Sequence, residues 1–325
     1  MIAYIIRRIL YAIPILMAVN ILTFILFFFV NSPDDIAKSQ LGDRRVTEEA
    51  IDNWKRDRGY DSPLLYNSQA EGIGRLTDTV FFEKSIKMIA FDFGTSDSSR
   101  NINSDISERM WPSLAIAIPS LIVGLTLNIT LALMIVFFRA TAIDTGAVVL
   151  CVVLMSVSSL FYIIGGQYLF SKTWHLIPIS GYDTGLDSIK FLILPVLIGV
   201  ISGIGSGTRW YRTLFLEEIS KDYVRTARAK GLSELKVLFA HVLKNALIPI
   251  LTGVVVILPL LFMGSLITES FFSIPGLGSY TIEGIMTQDF AIVRSMVYLG
   301  SVLYVIGLIL TDISYTLVDP RVRLN

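Results

Sequence analysis

The chain has 325 residues, 53% hydrophobic and 17% charged, with 27 basic and 27 acidic side chains and no formal net charge. Soluble domains carry charge on nearer a quarter of their residues, so this composition excludes an ordinary soluble protein. Zero net charge also removes any bulk electrostatic case for nucleic acid as a partner. The lone cysteine, Cys151, excludes an internal disulfide, and His175 and His241 stand far apart with no cysteine near either. No metal site is expected. Gly203–Gly207 lacks the Lys-Ser/Thr ending of a phosphate-binding loop and reads instead as small residues for helix packing. No nucleophile, zinc-helix or paired-carboxylate arrangement stands in a sensible context, so the polypeptide reads as non-enzymatic.

Met1 to Arg8 is a short amphipathic lead carrying Arg7 and Arg8, and Ile9 to Val30 is apolar over a bilayer-crossing length. Basic-then-apolar is also the pattern of a signal peptide. This run is too long for one, and no small-x-small cleavage site follows near Asn31-Ser-Pro33. It reads as a retained first span with a cytoplasmic N-terminus. Asn31 to about Met110 is rich in Asp, Glu, Arg, Ser and Asn, with amphipathic pieces at Val46–Trp54 and Phe81–Ala90. That is an extracytoplasmic insert rather than a turn. Its aromatics, among them Trp54, Tyr60 and Phe81, argue for packing, whereas Ser96–Ser104 reads as unstructured.

Five further spans are expected at about Leu114–Phe138, Gly146–Phe170, Phe191–Thr208, Ala246–Thr268 and Ala291–Ile313. The segment Arg209–Lys244 carries Arg209, Arg212, Lys221, Arg225, Arg228, Lys230, Lys236 and Lys244, while Glu269–Phe290 has no Lys or Arg. That asymmetry puts the basic loop and both termini in the cytoplasm. The expected division is 1–30 lead and first span, 31–110 periplasmic insert, 111–313 a five-helix core containing the loop 209–245, and 314–325 a tail.

Within the basic loop, Asp222, Tyr223, Arg225, Thr226, Ala227, Arg228, Ala229, Lys230 and Gly231 belong to a charged, Ala-rich helix. Such a helix with no core of its own to fill is a docking element. Ala227 and Ala229 would let another surface approach, and Arg225 and Arg228 offer forks for a partner's carboxylates. Gly231 is the expected left-handed stop, and Ser233 with Glu234 can cap the next helix. The alternative is a loop kept basic only to fix topology. The span centres contain no Asp, Glu, Lys or Arg, against a proton- or sodium-coupled carrier. Their densest polar group is Ser156, Ser158, Ser159 and Gln167, either facing a translocation pathway or bonding between helices.

The run Tyr223-Val-Arg-Thr-Ala-Arg-Ala-Lys-Gly231, continued by Ala240-His-Val-Leu-Lys-Asn-Ala-Leu-Ile-Pro249, resembles the coupling segment of ABC importer permeases of the oligopeptide, dipeptide and nickel family. Tyr4–Arg8, Phe91–Ser96, Leu176–Gly181, Glu269–Gly278 and Asp312–Arg321 resemble family positions in the same order. The long insert is similar to that of the B-type subunit. The resemblance implies an all-α polytopic membrane protein of six transmembrane helices, with type I ABC importer permease architecture. It further implies a pathway shared with a second, C-type permease and two cytoplasmic ABC ATPases docked on the coupling helices. A periplasmic or lipid-anchored solute-binding protein would deliver a peptide or related solute in the bacterial inner membrane. This chain would hold no cofactor, ATP and Mg²⁺ belonging to the ATPases. The competing classes are a self-sufficient secondary carrier or channel, and a membrane-anchored sensor.

Overall fold

The structure is a computed structural model that describes residues 2–30, 32–42 and 47–318. Asn31, Val46, the Asp319–Arg321 end of the last motif and the tail 319–325 lie outside them. The described chain is helical, with one isolated antiparallel bridge between Thr95 and Asn101. In order, the principal helices are α1 Ile2–Ile25, α2 Pro33–Leu41, α3 Glu48–Arg58, α4 Ile102–Phe137, α5 Ala142–Ser156 and α6 Ser159–Gly166. They continue as α7 Ile189–Ile219, α8 Asp222–Ala229, α9 Lys244–Ile257, α10 Leu266–Phe271, α11 Leu277–Met286 and α12 Phe290–Val318.

Among the described residues five apolar stretches are long enough to cross a bilayer: Ile6–Val30, Ile102–Phe137, Gly185–Ile219, Glu234–Phe271 and Phe290–Ser314. A sixth crossing requires Ala142–Ser156 and Ser159–Thr173 to count together, and these are bent by 86°. The expected third span, about Gly146–Phe170, is therefore broken within its length. Val157 is extended at φ −86°, ψ 126° and Ser158 at φ −62°, ψ 143°, so neither continues the helix. The helix of the expected fourth span, α7, runs past Thr208 to Ile219 and takes Arg209 and Arg212 into it. Large apolar side chains such as Leu10, Leu22, Phe29, Val153 and Phe161 stay exposed along these helices, as lipid-facing surfaces require.

The described chain divides into two compact units, residues 2–109 with Tyr280–Ile309, and Met110–Ser279 with residues 310–318. In the first, Phe24 and Phe28 of α1 pack with Ile36 and Ala37 of α2, Ile51 and Trp54 of α3, Tyr60 and Val80. Local chemistry sets these short helices. Ser32 and Asp35 form a capping box around Pro33, and the Ser32 hydrogen bonds hold the Asp35 carboxyl below its usual range. Thr47 caps α3, which Gly59 ends in the left-handed conformation at φ 67°. The expected aromatic packing of the insert is thus present. Ser96–Ser104, expected to be unstructured, is a tied turn running into the first residues of α4. Ser96 N–H bonds to Arg100 O at 2.9 Å, Arg58 pairs with Asp97 at 3.0 Å, and Asp97 N–H donates to Asp289 at 2.7 Å. The polar composition there makes turns, not disorder.

In the second unit, α5 lies along α7 with small residues at the contact. A Cβ on Gly205 would come within 2.5 Å of the Cys151 carbonyl and one on Gly207 within 2.5 Å of the Asn128 amide, whereas Gly203 faces open space. Two of the three glycines therefore serve close helix packing, the role expected from sequence. Asn128 also accepts a hydrogen bond from Thr208 at 2.9 Å, buried between α4 and α7. Gly205→Val should overpack this contact and cost about 1–3 kcal/mol, while Gly203→Ala, which meets nothing in mid-helix, should not lower stability. Thermal unfolding of the detergent-purified chain measures both.

Candidate functional site

The basic segment folds as an amphipathic helix anchored from below. Val224 and Ala227 of α8 are buried against Phe215 and Ile219 of α7 and against Val237, Leu238 and Val242. The helix therefore has a core of its own, contrary to the expectation, and Ala227 faces that core rather than a partner. The outward stripe is Asp222, Arg225, Thr226 and Ala229, continued by Lys230, spaced at helical intervals on one face. Arg225 is 74% exposed and touches Asp222 of its own helix at 3.3 Å.

Gly231 stops α8 as the sequence suggests. Leu232 N–H reaches back to Ala227 O at 3.4 Å and Gly231 N–H to Arg228 O at 2.9 Å, with Gly231 at φ 78°. These are the two reversed bonds of a Schellman motif. The next helix differs from expectation. Ser233 stands at its start without a side-chain capping bond, and Glu234 is turned toward two arginines. Arg228 forks onto it at 2.9 and 3.1 Å and Arg139 reaches it at 2.8 Å. One of the two guanidiniums assigned to a partner is thus engaged within the chain. At the other end of α8, the Tyr223 hydroxyl donates to Glu218 of α7. Burial, then that bond, push the Tyr223 phenol up to about 12, so it remains a donor at any ordinary pH.

A cavity of about 550 Å³ opens among α4, α6, α7 and the segment 257–269, its polar groups including Ser120, Ser159, Ser202, Thr268 and Glu269. Of the four pathway candidates from sequence, Ser159 lines it. Ser156 donates instead to Val152 O within α5 at 2.8 Å. Ser158 forms the bend before α6. Gln167 donates to Ile179 O and Phe271 O at 3.0 and 3.1 Å. Nothing in the linear sequence singles out Ser120, yet its Oγ is buried with no hydrogen-bond partner.

The rim of this cavity is built on Glu269, 1% exposed. Between α9 and α10 the chain breaks at Gly264, φ 67° and ψ −167°, a conformation open essentially to glycine. One Glu269 oxygen accepts Ser113 Oγ–H at 2.8 Å and Ser265 N–H at 3.1 Å. The other accepts Ser279 N–H at 2.9 Å. Ser113 Oγ in turn accepts Leu277 N–H at 2.8 Å. In the sequence Glu269 stands out only as part of a motif. Its signal is a lone acid beside Gly276 and Gly278 at the end of an apolar run. Among the described residues no group of three or more potential ligands stands where it could hold a metal ion.

Residues 128–324 match the family described as binding-protein-dependent transport system inner membrane component, and residues 1–109 match its N-terminal counterpart. The chain belongs to this family. A permease protein of Brucella abortus (strain 2308), named for a peptide transport system, is 33% identical over 99% of both chains. The oligopeptide transport system permease AppB of Bacillus subtilis is 28% identical, covering 99% of this chain and 100% of AppB. The dipeptide transport system permease DppB of the same organism is 28% identical over 99% and 98%. The protein is thus a multi-pass inner-membrane permease component of ABC-type transport, a non-catalytic one.

Gly276→Ala would drive a Cβ to 2.3 Å from the Glu269 carboxylate and 2.5 Å from Ser113 Oγ. Glu269→Gln would turn an amide N–H₂ toward backbone donors, costing about 1–3 kcal/mol. Both should lower the melting temperature and open 264–279 to limited proteolysis, with Gly253→Ala, whose Cβ would meet Trp210 at an ordinary 3.7 Å, unaffected.

Proposed function

We propose that this chain is one of two permeases in an ATP-driven importer of peptides or a chemically related small solute. The carrying observation is end-to-end similarity, over 98–100% of each partner, to permeases named for peptide, oligopeptide and dipeptide transport. In this reading α8 is the coupling helix, with its outward stripe of Asp222, Arg225, Thr226, Ala229 and Lys230 seated on one of two cytoplasmic ATPases. Tyr223, Val224, Ala227 and Arg228 hold the helix to its own subunit, and Gly231 lets the chain turn back at once. The basic segment and both termini are cytoplasmic, by the charge asymmetry of the connecting segments. ATP and Mg²⁺ belong to the ATPases, and a solute-binding protein on the opposite face delivers the substrate. A second, homologous permease completes the pathway, to which this chain contributes the cavity beside Ser120, Ser159 and Ser202.

Gly231→Val has room for its side chain, since nothing lies within 4 Å of a Cβ there. Its cost is backbone strain of about 1 kcal/mol or more, greater for a branched residue. It should shift the coupling helix without unfolding the spans. Arg225→Glu should weaken docking by charge alone, because Arg225 makes no contact that holds the fold. Both variants are expected to insert normally and lose ATPase co-purification and ATP-driven uptake in reconstituted vesicles. Wild-type recruitment by both would defeat the assignment of α8.

The cavity is tested separately. Ser120→Cys and Ser159→Cys, each in a Cys151→Ser background, should label with a small maleimide at rates that change with nucleotide. Ser156→Cys, bound into its own helix, should not respond. Equal protection of all three in every state would remove the cavity from the pathway.

A further inference from the structure

Five charged residues, drawn from three separate stretches of the sequence, form a continuous chain around the turn between α4 and α5. Glu234 is forked by Arg228 of α8 and is also bound by Arg139 of that turn at 2.8 Å. The adjoining residue, Ala140, is held at φ 62° and gives its N–H to Asp144 at 3.2 Å. Asp144 is clamped in turn by Arg212 of α7 through two bonds of 2.9 and 3.0 Å. Beneath this chain lies apolar packing that joins the same elements, with Val136, Val224, Ala227 and Val237 in one cluster.

The turn leads directly into α5, and α5 ends at the 86° bend before Ser159, which lines the cavity. One carboxylate thus ties the docking helix to the element that ends at the cavity wall. Two guanidiniums on one carboxylate, Arg228 by a fork and Arg139 by a single bond, hold a fixed relative geometry, since charge-assisted bonds restrict direction as well as distance. Loose apolar contact would let α8 slide over the turn. A doubly bound carboxylate resists that sliding.

We propose that Glu234 and Arg139 are positioning residues for energy coupling, the joint through which a displacement of α8 reaches the turn and α5. This rests on the reading of α8 as the coupling helix. It adds a prediction that reading does not make, namely that docking and transmission are separable. Arg139 lies outside the docking stripe, so its loss should spare recruitment and impair the response.

The experiment uses the assembled importer in nanodiscs, comparing the nucleotide-free state with the state trapped by ATP and vanadate. Hydrogen exchange of residues 138–159 reads the response, and co-purification of the ATPases reads docking. The parent should show a nucleotide-dependent change in exchange across this segment. Arg139→Gln should retain the ATPases and shrink that change by about fivefold, the scale of substitutions that modulate coupling. Glu234→Gln, which weakens the Arg228 fork as well, should lose at least as much, and adding Arg139→Gln to it should cost little more, because Arg139 then has no carboxylate left to bind. Arg139→Lys, which keeps the charge, should restore most of the response and separates this role from a folding defect. A full response in Arg139→Gln with ATPases bound overturns the proposal and leaves the coupling helix standing. No nucleotide-dependent change in the parent also overturns it. ATPases that fail to dock on the parent overturn the underlying reading, and the joint with it.

Discussion

Inside a bilayer a broken helix must find its hydrogen bonds within the protein, since no water stands ready to take them. That constraint explains the most unusual feature of this fold, a buried carboxylate at the break between α9 and α10. At Gly264 the helical ladder stops, and Ser265 N–H would be orphaned. Glu269, one helical turn further on, folds back and accepts it. The same carboxylate takes Ser279 N–H, while Ser113 holds Leu277 N–H. Two segments of backbone and α4 are therefore organised by one side chain. The close fit is a consequence. Gly264 and Gly276 lie where any Cβ would collide with the carboxylate oxygens. A carboxylate so supplied with donors needs no cation beside it.

The other break, between α5 and α6, is solved by different means. Ser158 O accepts Phe161 N–H at 3.0 Å, so the new helix begins immediately. Tyr162 OH reaches back across the bend to Leu154 O at 2.9 Å, supplying the last turn of α5 with a donor. Hydroxyls rather than charges serve this break, and Ser159 beside it is left facing the cavity. Both breaks border the same space. Non-helical backbone at membrane depth is tolerated where it is buried in protein or lines a cavity, and each does one of these.

How much of the fold is legible in the sequence depends on the kind of signal involved. Hydropathy makes the spans readable, because Ile9–Val30 and its successors are long uninterrupted apolar runs. It cannot show the 86° bend, because a polar group such as Ser156, Ser158 and Ser159 inside an apolar run carries no record of backbone direction. The Gly231 stop is legible because helix termination is local chemistry. The direction of α8 is not. Ala227 and Ala229 are identical in sequence, and only packing against Phe215 and Val242 puts one inside and leaves the other exposed. Glu234 looks like a helix-starting acid because its partner Arg139 is 95 residues away. The pathway serines show the same limit. Composition finds a polar cluster on one span, whereas the cavity gathers its hydroxyls from several spans, a grouping no linear window contains.

The character of the cavity bears on how such a subunit could serve many substrates. Its walls interleave isoleucines and leucines with serine and threonine hydroxyls, and its carboxylate is already engaged by Ser113 and by the donors of its own loop. Strong discrimination needs a buried polar or charged group that the wrong ligand leaves unpaired. Hydroxyls do not impose that condition, since each both donates and accepts and can turn to suit. Under the proposed function, a peptide could satisfy them with any of its backbone amides, whatever its side chains. Selectivity would then fall to the partner that delivers the substrate. The charges of this chain would be kept for the other task, holding α8 in fixed geometry against the spans it has to move.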